Sequence, residues 1–457
     1  MRRASDMETQ VSSDLTLAQR LLERGEVIAI PTETVYGLAA NALNPEAVQK
    51  IFQLKGRPHW NPLILHIGSA EVLAALGIEF PEWAQRLAAH FWPGPLTLLL
   101  RSGEAIPSLV RAGLPRVAVR QPAHPLTLEL LRRLPFPVAA PSANPFGRLS
   151  PTTSAHVYAY FAGQIPFILE GGPCQHGLES TIVGEEEGRF VLYRPGAIPR
   201  EQIEAILGEK LQTPITAKPT AIQTPGQFSR HYAPAKPLLY GWRQPPLEPN
   251  ASIVLFTAPE APLSHPYLHL LSPAGNLQEA ATTLYAVLHA CEAEPTDFIL
   301  MQELPTGGPL AETLYDRLRK ATPPFVFTIG HSTHSWESFR ALLAKYEIEM
   351  VVDLRKQPFS RYVPHFSQSS LRQLLYTAGI RYEWQSEVER LLESLPSFVQ
   401  PFRKVVLLCA EGEPQRCHRY KLADQLAERG FAVLHILPQG QLRLHRAPIG
   451  LPFGEKA

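Results

Sequence analysis

Short apolar runs, each closed by a proline or glycine, alternate in this chain with stretches whose apolar residues recur at helical spacing. Val27 to Ile30 ends at Pro31, as a buried strand would. Leu15 to Arg24 sets Leu15, Ala18, Leu21 and Leu22 on one helix face and stops at Gly25. Asn44-Pro45 reads as an N-cap followed by a first-turn proline, opening a helix through Leu54. Ser150-Pro151 repeats that signal. Leu63 to Ile67, Leu96 to Leu100, Val117 to Val119, Phe167 to Leu169, Thr181 to Val183 and Phe190 to Tyr193 read as strands. Such a mixture predicts an α/β (α+β) architecture with a mixed sheet.

Leu211 to Pro234 breaks the pattern with Thr, Pro, Gln and Ala, a linker composition. Beyond it, strands at Leu238 to Tyr240, Ile253 to Phe256 and Phe298 to Leu300, with a helix at Leu277 to Cys291, predict a second small α/β unit. Pro323-Pro324 marks the next boundary. A third unit begins at strand Phe325 to Ile329. Strands Met350 to Leu354 and Val405 to Cys409 and helices at Trp336 to Tyr346 and about Lys421 to Gly430 give it an α/β pattern too. The expected division is 14–208, a linker at 209–235, then 236–322 and 325–440; a length of 457 residues agrees, at roughly 150 residues per domain.

Composition narrows the function classes. No run approaches the ~20 apolar residues that span a bilayer, and Met1 to Asp6 turns polar at once, unlike a secretory leader. Four scattered cysteines form no disulfide framework, which points to a reducing cytoplasm. A net charge of +1 gives no overall pull on nucleic acid.

Several polar turns could carry chemistry. Pro31-Thr32-Glu33-Thr34-Val35-Tyr36-Gly37-Leu38 follows a strand, where α/β sheets bind ligands; a solvated turn capped by threonines is the plainer reading. Lys55-Gly56-Arg57-Pro58 could clamp a polyphosphate, or simply end a helix with cations on its dipole. Pro141-Ser142-Ala143-Asn144 makes a rigid polar loop, able to hold phosphate or adenine edges or to bond only to itself. Glu179-Ser180-Thr181 and Arg194-Pro195-Gly196 flank later strands. Neither GxxxxGK[ST] nor GxGxxG in a strand–helix setting is present, which argues against a Walker or Rossmann nucleotide site.

The order of these motifs is more telling than any one of them. With Asn61-Pro62-Leu63 and Phe91-Trp92-Pro93-Gly94-Pro95-Leu96-Thr97 they make seven in sequence, and residues 14–208 closely resemble the threonylcarbamoyl-AMP synthases, the YrdC-like family. Thr224-Pro225-Gly226 and Arg230-His231-Tyr232-Ala233-Pro234 resemble the linker of that family's longer, two-domain form. The unit ending in Tyr315-Asp316-Arg317-Leu318 is similar to its extra C-terminal domain.

The resemblance implies a twisted mixed sheet and an enzyme that joins L-threonine, bicarbonate and ATP, releasing pyrophosphate. A partner threonylcarbamoyl transferase complex would then modify adenosine in tRNA. It places Thr34, His66, Arg120, Ala140 and Ser180 at threonine, and Arg57, Asn61, Ser142, Asn144, Ser150 and Arg194 at ATP. Lys55 would lie near the phosphates, sharing with Arg57 the charge stabilisation of catalysis, and His231 would fold over the nucleotide as part of a lid. Mg²⁺ is expected with ATP, held mostly by substrate and water. Arg116 stands where the family pattern has a small residue against the nucleotide.

The third unit opens with Thr328-Ile329-Gly330-His331-Ser332, continues with Val352-Asp353-Leu354-Arg355, and closes with Cys409-Ala410-Glu411 and Cys417-His418-Arg419. It resembles the domain of unknown function DUF-488, with a shortened middle after Tyr382-Glu383-Trp384. Cys409, Glu411, Cys417, His418 and Arg419 all fall near strand ends. Two cysteines and a histidine fall one short of a closed zinc site unless His331 or Asp353 completes it. A thiolate nucleophile beside His418, or a buried Cys409 and a helix-capping Cys-His pair, are the other readings. For the whole chain the rival is a non-catalytic regulatory protein that binds double-stranded RNA or nucleotide, since the same arginines would serve RNA.

Overall fold

The computed structural model describes residues 7–214, 223–226, 230–399 and 402–446. Of the linker expected at 209–235, residues 215–222 and 227–229 lie outside them. The chain divides into two units: Met1–Pro234 with Leu271–Ala290 and Leu304–Lys320, and Ala235–Leu270 with Cys291–Glu303 and Ala321–Ala457. The segment expected as one small unit at 236–322 is therefore shared. Its strands belong to the second unit, and most of its helices Leu277–Ala293 and Ala311–Ala321 to the first.

The first unit is a ten-stranded mixed sheet. Its central strands, in spatial order, are Ile28–Ile30, Gly37–Asn41, Val138–Ala139, Ile64–His66, Arg116–Arg120, Leu96–Arg101 and Thr181–Glu186. Ile28–Ile30 and Gly37–Asn41 pair antiparallel, so the polar turn read from the sequence ends inside a strand at Gly37 and Leu38. Helix Pro45–Lys55 forms as expected: the Asn44 side chain accepts from Glu46 N and Ala47 N, and Pro45 takes the first turn. Its face of Ala47, Val48, Ile51 and Phe52 is buried against the sheet core.

The cap expected at Ser150 falls elsewhere. Helix Ser154–Phe161 is capped by Thr153, whose hydroxyl accepts from His156 N. Ser150 is fully buried, and its hydroxyl is engaged by Glu179 instead. Helices Glu82–Phe91 and Pro125–Arg133, unmarked by the sequence reading, cover further strands.

The second unit carries two sheets. Leu238–Trp242, Phe298–Gln302, Ala251–Leu255 and Leu268–Leu270 pair parallel throughout. The other sheet runs Arg381–Trp384, Met350–Asp353, Val405–Cys409, Phe325–Gly330, Ala432–Ile436 and Leu442–Leu444, parallel except for the last strand. One apolar core serves both: Trp242, Ile253 and Phe298 pack in the same cluster as Phe327, Tyr346 and Leu434. The shortened segment before Val405 is filled by helix Val388–Phe398. No helix among the described residues is long and apolar enough to cross a membrane.

Candidate active site

Turns from several strand ends of the first sheet enclose one cavity. Between Ile28–Ile30 and Gly37–Asn41, Thr32 Oγ1 lies 2.8 Å from Thr34 Oγ1 and donates to Val35 O at 2.6 Å. Arg120, the last residue of its strand, reaches this turn. It donates to Thr34 Oγ1 at 2.8 Å and to Glu33 Oε1 at 2.6 Å. Burial pushes the Glu33 carboxyl up, but the Arg120 charge and hydrogen bonds outweigh it and hold the group below its usual range. His66 ends the neighbouring strand with its Nδ1 3.2 Å from Ile64 O. Burial, then the Arg120 charge, push its imidazole down to about 3, so it is neutral. Ser180 Oγ lies 2.7 Å from Thr97 Oγ1 and accepts from Arg194 Nη2 at 2.9 Å. A Cβ on Gly196 would sit 2.4 Å from the Ser180 carbonyl carbon, so only glycine lets Arg194-Pro195-Gly196 run against Glu179-Ser180.

Thr34, His66, Arg120, Ala140 and Ser180 thus line a single cavity, as their sequence assignment required of neighbours. Arg57, Ser142, Arg194 and His231 line it too. Arg57 is held by neutral oxygens, donating to Asn61 Oδ1 at 2.6 Å, Asn61 O at 3.0 Å and Pro62 O at 2.6 Å. Burial, then repulsion from Arg194, push its guanidinium down to about 9; burial lowers Arg194 as well. Two desolvated cations that repel one another would be relieved by an entering anion, and a planar guanidinium fork matches phosphate.

Four of the expected residues support the wall without lining it. Lys55 Nζ donates to Ser142 O and Asn144 O, and burial followed by the Arg57 charge pushes its ammonium well down. It fixes the Ser142–Asn144 loop from behind. The Asn144 amide donates to Pro145 O at 2.8 Å and Arg148 O at 3.0 Å. Asn61 holds Arg57, and Ser150 Oγ donates to Glu179 Oε1 at 2.6 Å. Arg116 opens its strand and does not line the cavity; it donates to Tyr193 Oη and Glu186 Oε1, each at 3.0 Å, and to Gln223 Oε1.

Sequence reasoning missed a lining carboxylate and the residues that hold it. Glu179, read only as part of a motif, accepts from Arg317 Nε at 2.7 Å and Tyr285 Oη at 3.1 Å. Nothing in the sequence ties Glu179 to residues more than a hundred positions away. Tyr232 also lines the cavity; its buried hydroxyl has no hydrogen-bond partner among the described residues, and the Arg317 guanidinium stands 4.6 Å above its ring. Burial is what raises its phenol to about 12.

Two family models match this part of the chain. One described as telomere recombination, covering Sua5, YciO and YrdC, matches residues 20–196; one described as threonylcarbamoyl-AMP synthase, C-terminal domain, matches 198–323. A threonylcarbamoyl-AMP synthase of Bacillus subtilis is 40% identical over 320 residues, which span 66% of this chain and 91% of that relative. The chain belongs to the threonylcarbamoyl-AMP synthase family. A second synthase of that name, from Pyrococcus abyssi, is 47% identical over 223 residues, 48% of this chain and 66% of its own length. The crystal structure of P. abyssi Sua5 complexed with L-threonine matches with a TM-score of 0.62 at 34% identity, covering 69% of this chain and 97% of that one. The mixed α/β fold expected of a synthase in this family is therefore the one observed.

Beyond the synthase region, a model for the domain of unknown function DUF488 matches residues 335–400. The candidate residues Cys409, Cys417, His418 and Arg419 lie beyond that match, and the structure brings them together. Cys409 Sγ lies 3.7 Å from His418 Nε2, Cys417 Sγ lies 3.8 Å from His418 Nδ1, and Arg419 reaches Glu411 O and Gly412 O. Glu411 takes part through its backbone carbonyl. Asp353 is engaged elsewhere, paired with Arg355 at 2.6 Å and accepting from Tyr382 Oη at 2.8 Å.

Proposed function

We propose that this chain makes threonylcarbamoyl-AMP from L-threonine, bicarbonate and ATP, releasing pyrophosphate. One observation carries the reading: a neutral, hydroxyl-bearing wall of Thr34, His66 and Ser180 and a cationic wall of Arg57 and Arg194 line the same cavity. A module that only bound RNA would have no use for a neutral buried imidazole and a serine hydroxyl set beside two desolvated guanidiniums.

The chemistry follows from that juxtaposition. The threonine amine bonds to the bicarbonate carbon and one oxygen leaves as water, which gives a carbamate. One carbamate oxygen attacks the α-phosphorus, the bond to the bridging oxygen breaks, and pyrophosphate leaves with that electron pair. Negative charge grows on phosphate oxygens, where Arg57 and Arg194 stabilise it electrostatically. Neutral His66, the Thr34 and Ser180 hydroxyls and Arg120 orient threonine, so that much of the barrier is met by positioning. Lys55 acts one step removed, holding the loop that presents Ser142. Mg²⁺ enters with ATP as substrate. The nearby carboxylates of Glu33 and Glu179 are committed to Arg120 and Arg317, which leaves the metal to phosphate oxygens and water. Carbamates lose CO₂ in water, so closure of the cavity by the His231-Tyr232 segment protects the intermediate. The product would pass to a transferase complex that modifies tRNA in the cytoplasm.

The test is pyrophosphate release by the purified full chain with bicarbonate and Mg-ATP, with and without L-threonine. Threonine-stimulated release that vanishes in Arg57→Ala supports the proposal. Folded protein that binds ATP yet shows no threonine stimulation overturns it.

A further inference from the structure

We propose that the second unit holds a thiophilic divalent cation of the zinc class on Cys409, Cys417 and His418. One ligand atom from each of these residues lies within 4.8 Å of the other two. The Zn–S and Zn–N bond lengths of a tetrahedral site set ligand atoms about 3.5–3.8 Å apart. Each sulfur lies at about that distance from one ring nitrogen, Cys409 Sγ 3.7 Å from Nε2 and Cys417 Sγ 3.8 Å from Nδ1; for the nitrogen that binds, the remaining ligand pairs stay within 4.8 Å.

The scaffold fixes all three ligands. Cys409 is the last residue of strand Val405–Cys409, in the middle of the six-stranded sheet. Cys417 and His418 immediately precede helix Arg419–Glu428, with His418 as its cap. The loop between is tied down by fully buried Arg419, whose guanidinium donates to Glu411 O and, at 2.6 Å, to Gly412 O. A Cβ on Gly330 would fall 1.7 Å from Glu411 O, so the loop lies directly on the neighbouring strand end. Such ligands are preorganised, which lowers the ordering cost of binding an ion.

Two thiolates and an imidazole select zinc over the hard cations that prefer oxygen ligands. Among the described residues no fourth ligand belongs to the cluster, and Asp353 is engaged by Arg355 and Tyr382. Three protein ligands leave one tetrahedral position for water or a bound molecule, the pattern of a reactive zinc site and not of a closed structural one. The site lies where ligands gather in parallel sheets, beyond the carboxyl ends of the strands.

The full chain, reduced and stripped with a chelator, is titrated with Co²⁺ under inert gas. One equivalent should bring up tetrahedral d–d bands and a thiolate-to-cobalt charge-transfer band, and Zn²⁺ should displace both. Cys417→Ser and His418→Ala, on partly exposed positions, should each weaken Co²⁺ binding by more than about 100-fold, the upper end for a residue that only orients a ligand. Cys174→Ser should bind as the wild type does. Circular dichroism confirms that each variant is folded. Absence of the charge-transfer band while thiol titration finds both cysteines reduced overturns the proposal. So does an unchanged spectrum in Cys417→Ser, or a Cys409–Cys417 disulfide that persists in reductant.

Discussion

Arg317 Nε donates to Glu179 Oε2 over 2.7 Å, and the two side chains are only 1% and 5% exposed. The pair joins helix Ala311–Ala321 to the turn that carries Ser180. Breaking a buried ion pair from one side strands the other charge, at a cost of about 3–5 kcal/mol. Glu179→Ala should therefore lower the urea-unfolding free energy of the synthase region by that order. Glu179→Gln, which keeps an acceptor for Ser150 and Tyr285, should cost less. An equal and small loss for both variants would mean that the pair does not hold the site together.

The acid side of the stability profile should separate two kinds of group. His66 titrates at about 3 when folded and near the ordinary imidazole value, about 6.5, when unfolded. The unfolded chain takes up that proton first, so stability falls as pH drops below about 6.5, at up to ~1.4 kcal/mol per pH unit. Glu33 and Glu179 are depressed when folded, so what they contribute is present above the unfolded carboxylate range and lost as pH falls through their folded values. His66→Gln should flatten the upper part of this decline and leave the carboxylate part below it. A variant profile parallel to the wild type from pH 6.5 downward would show that His66 is not buried neutral.

Lys55 and Arg57 are two residues apart, yet their substitutions should fail differently. Lys55→Met removes the donor to Ser142 O and Asn144 O, so amide hydrogen exchange at 142–146 should quicken as the Kd for Mg-ATP rises. Arg57→Ala should raise that Kd about tenfold or more, the worth of one hydrogen bond to a charged group, with exchange in the loop unchanged. Weakened nucleotide binding in Lys55→Met with a fully protected loop would place the ammonium on the nucleotide itself.

Much of this was legible in advance because the strands are short, apolar and punctuated. Phe167–Leu169 and Val405–Cys409 fall where their apolar runs ended at turn residues. Gly37–Asn41 did not announce itself, since Gly, Ala and Asn are poor strand formers and only pairing with Ile28–Ile30 makes them one. Lining residues such as Thr34, Arg57 and Ser180 lay in motifs of hydroxyls and cations at the ends of strands and of a helix. Glu179 with Arg317, and Lys55 under the Ser142–Asn144 loop, escaped because their partners are set by tertiary contact, not by spacing. The division of 236–322 between the two units escaped for the same reason.

Selectivity between the two walls can be tested one residue at a time. Arg120 bridges Glu33 and Thr34 through its planar fork, a geometry lysine cannot copy. Arg120→Lys should weaken threonine binding about tenfold, the loss of one hydrogen bond to a charged group, while Mg-ATP affinity measured by calorimetry stays at the wild-type value. Equal losses for both ligands would mean that the two walls are not separate sites.

Following the carbon decides whether this chain makes the adenylate. The full chain is incubated with Mg-ATP, L-threonine and ¹³C-bicarbonate, and the quenched mixture is read by mass spectrometry. A threonylcarbamoyl-AMP ion heavier by one mass unit than with unlabelled bicarbonate should form, dependent on threonine and absent in Arg57→Ala. Hydrolysis of ATP without any labelled adenylate, by folded wild-type protein, would contradict the proposed synthesis.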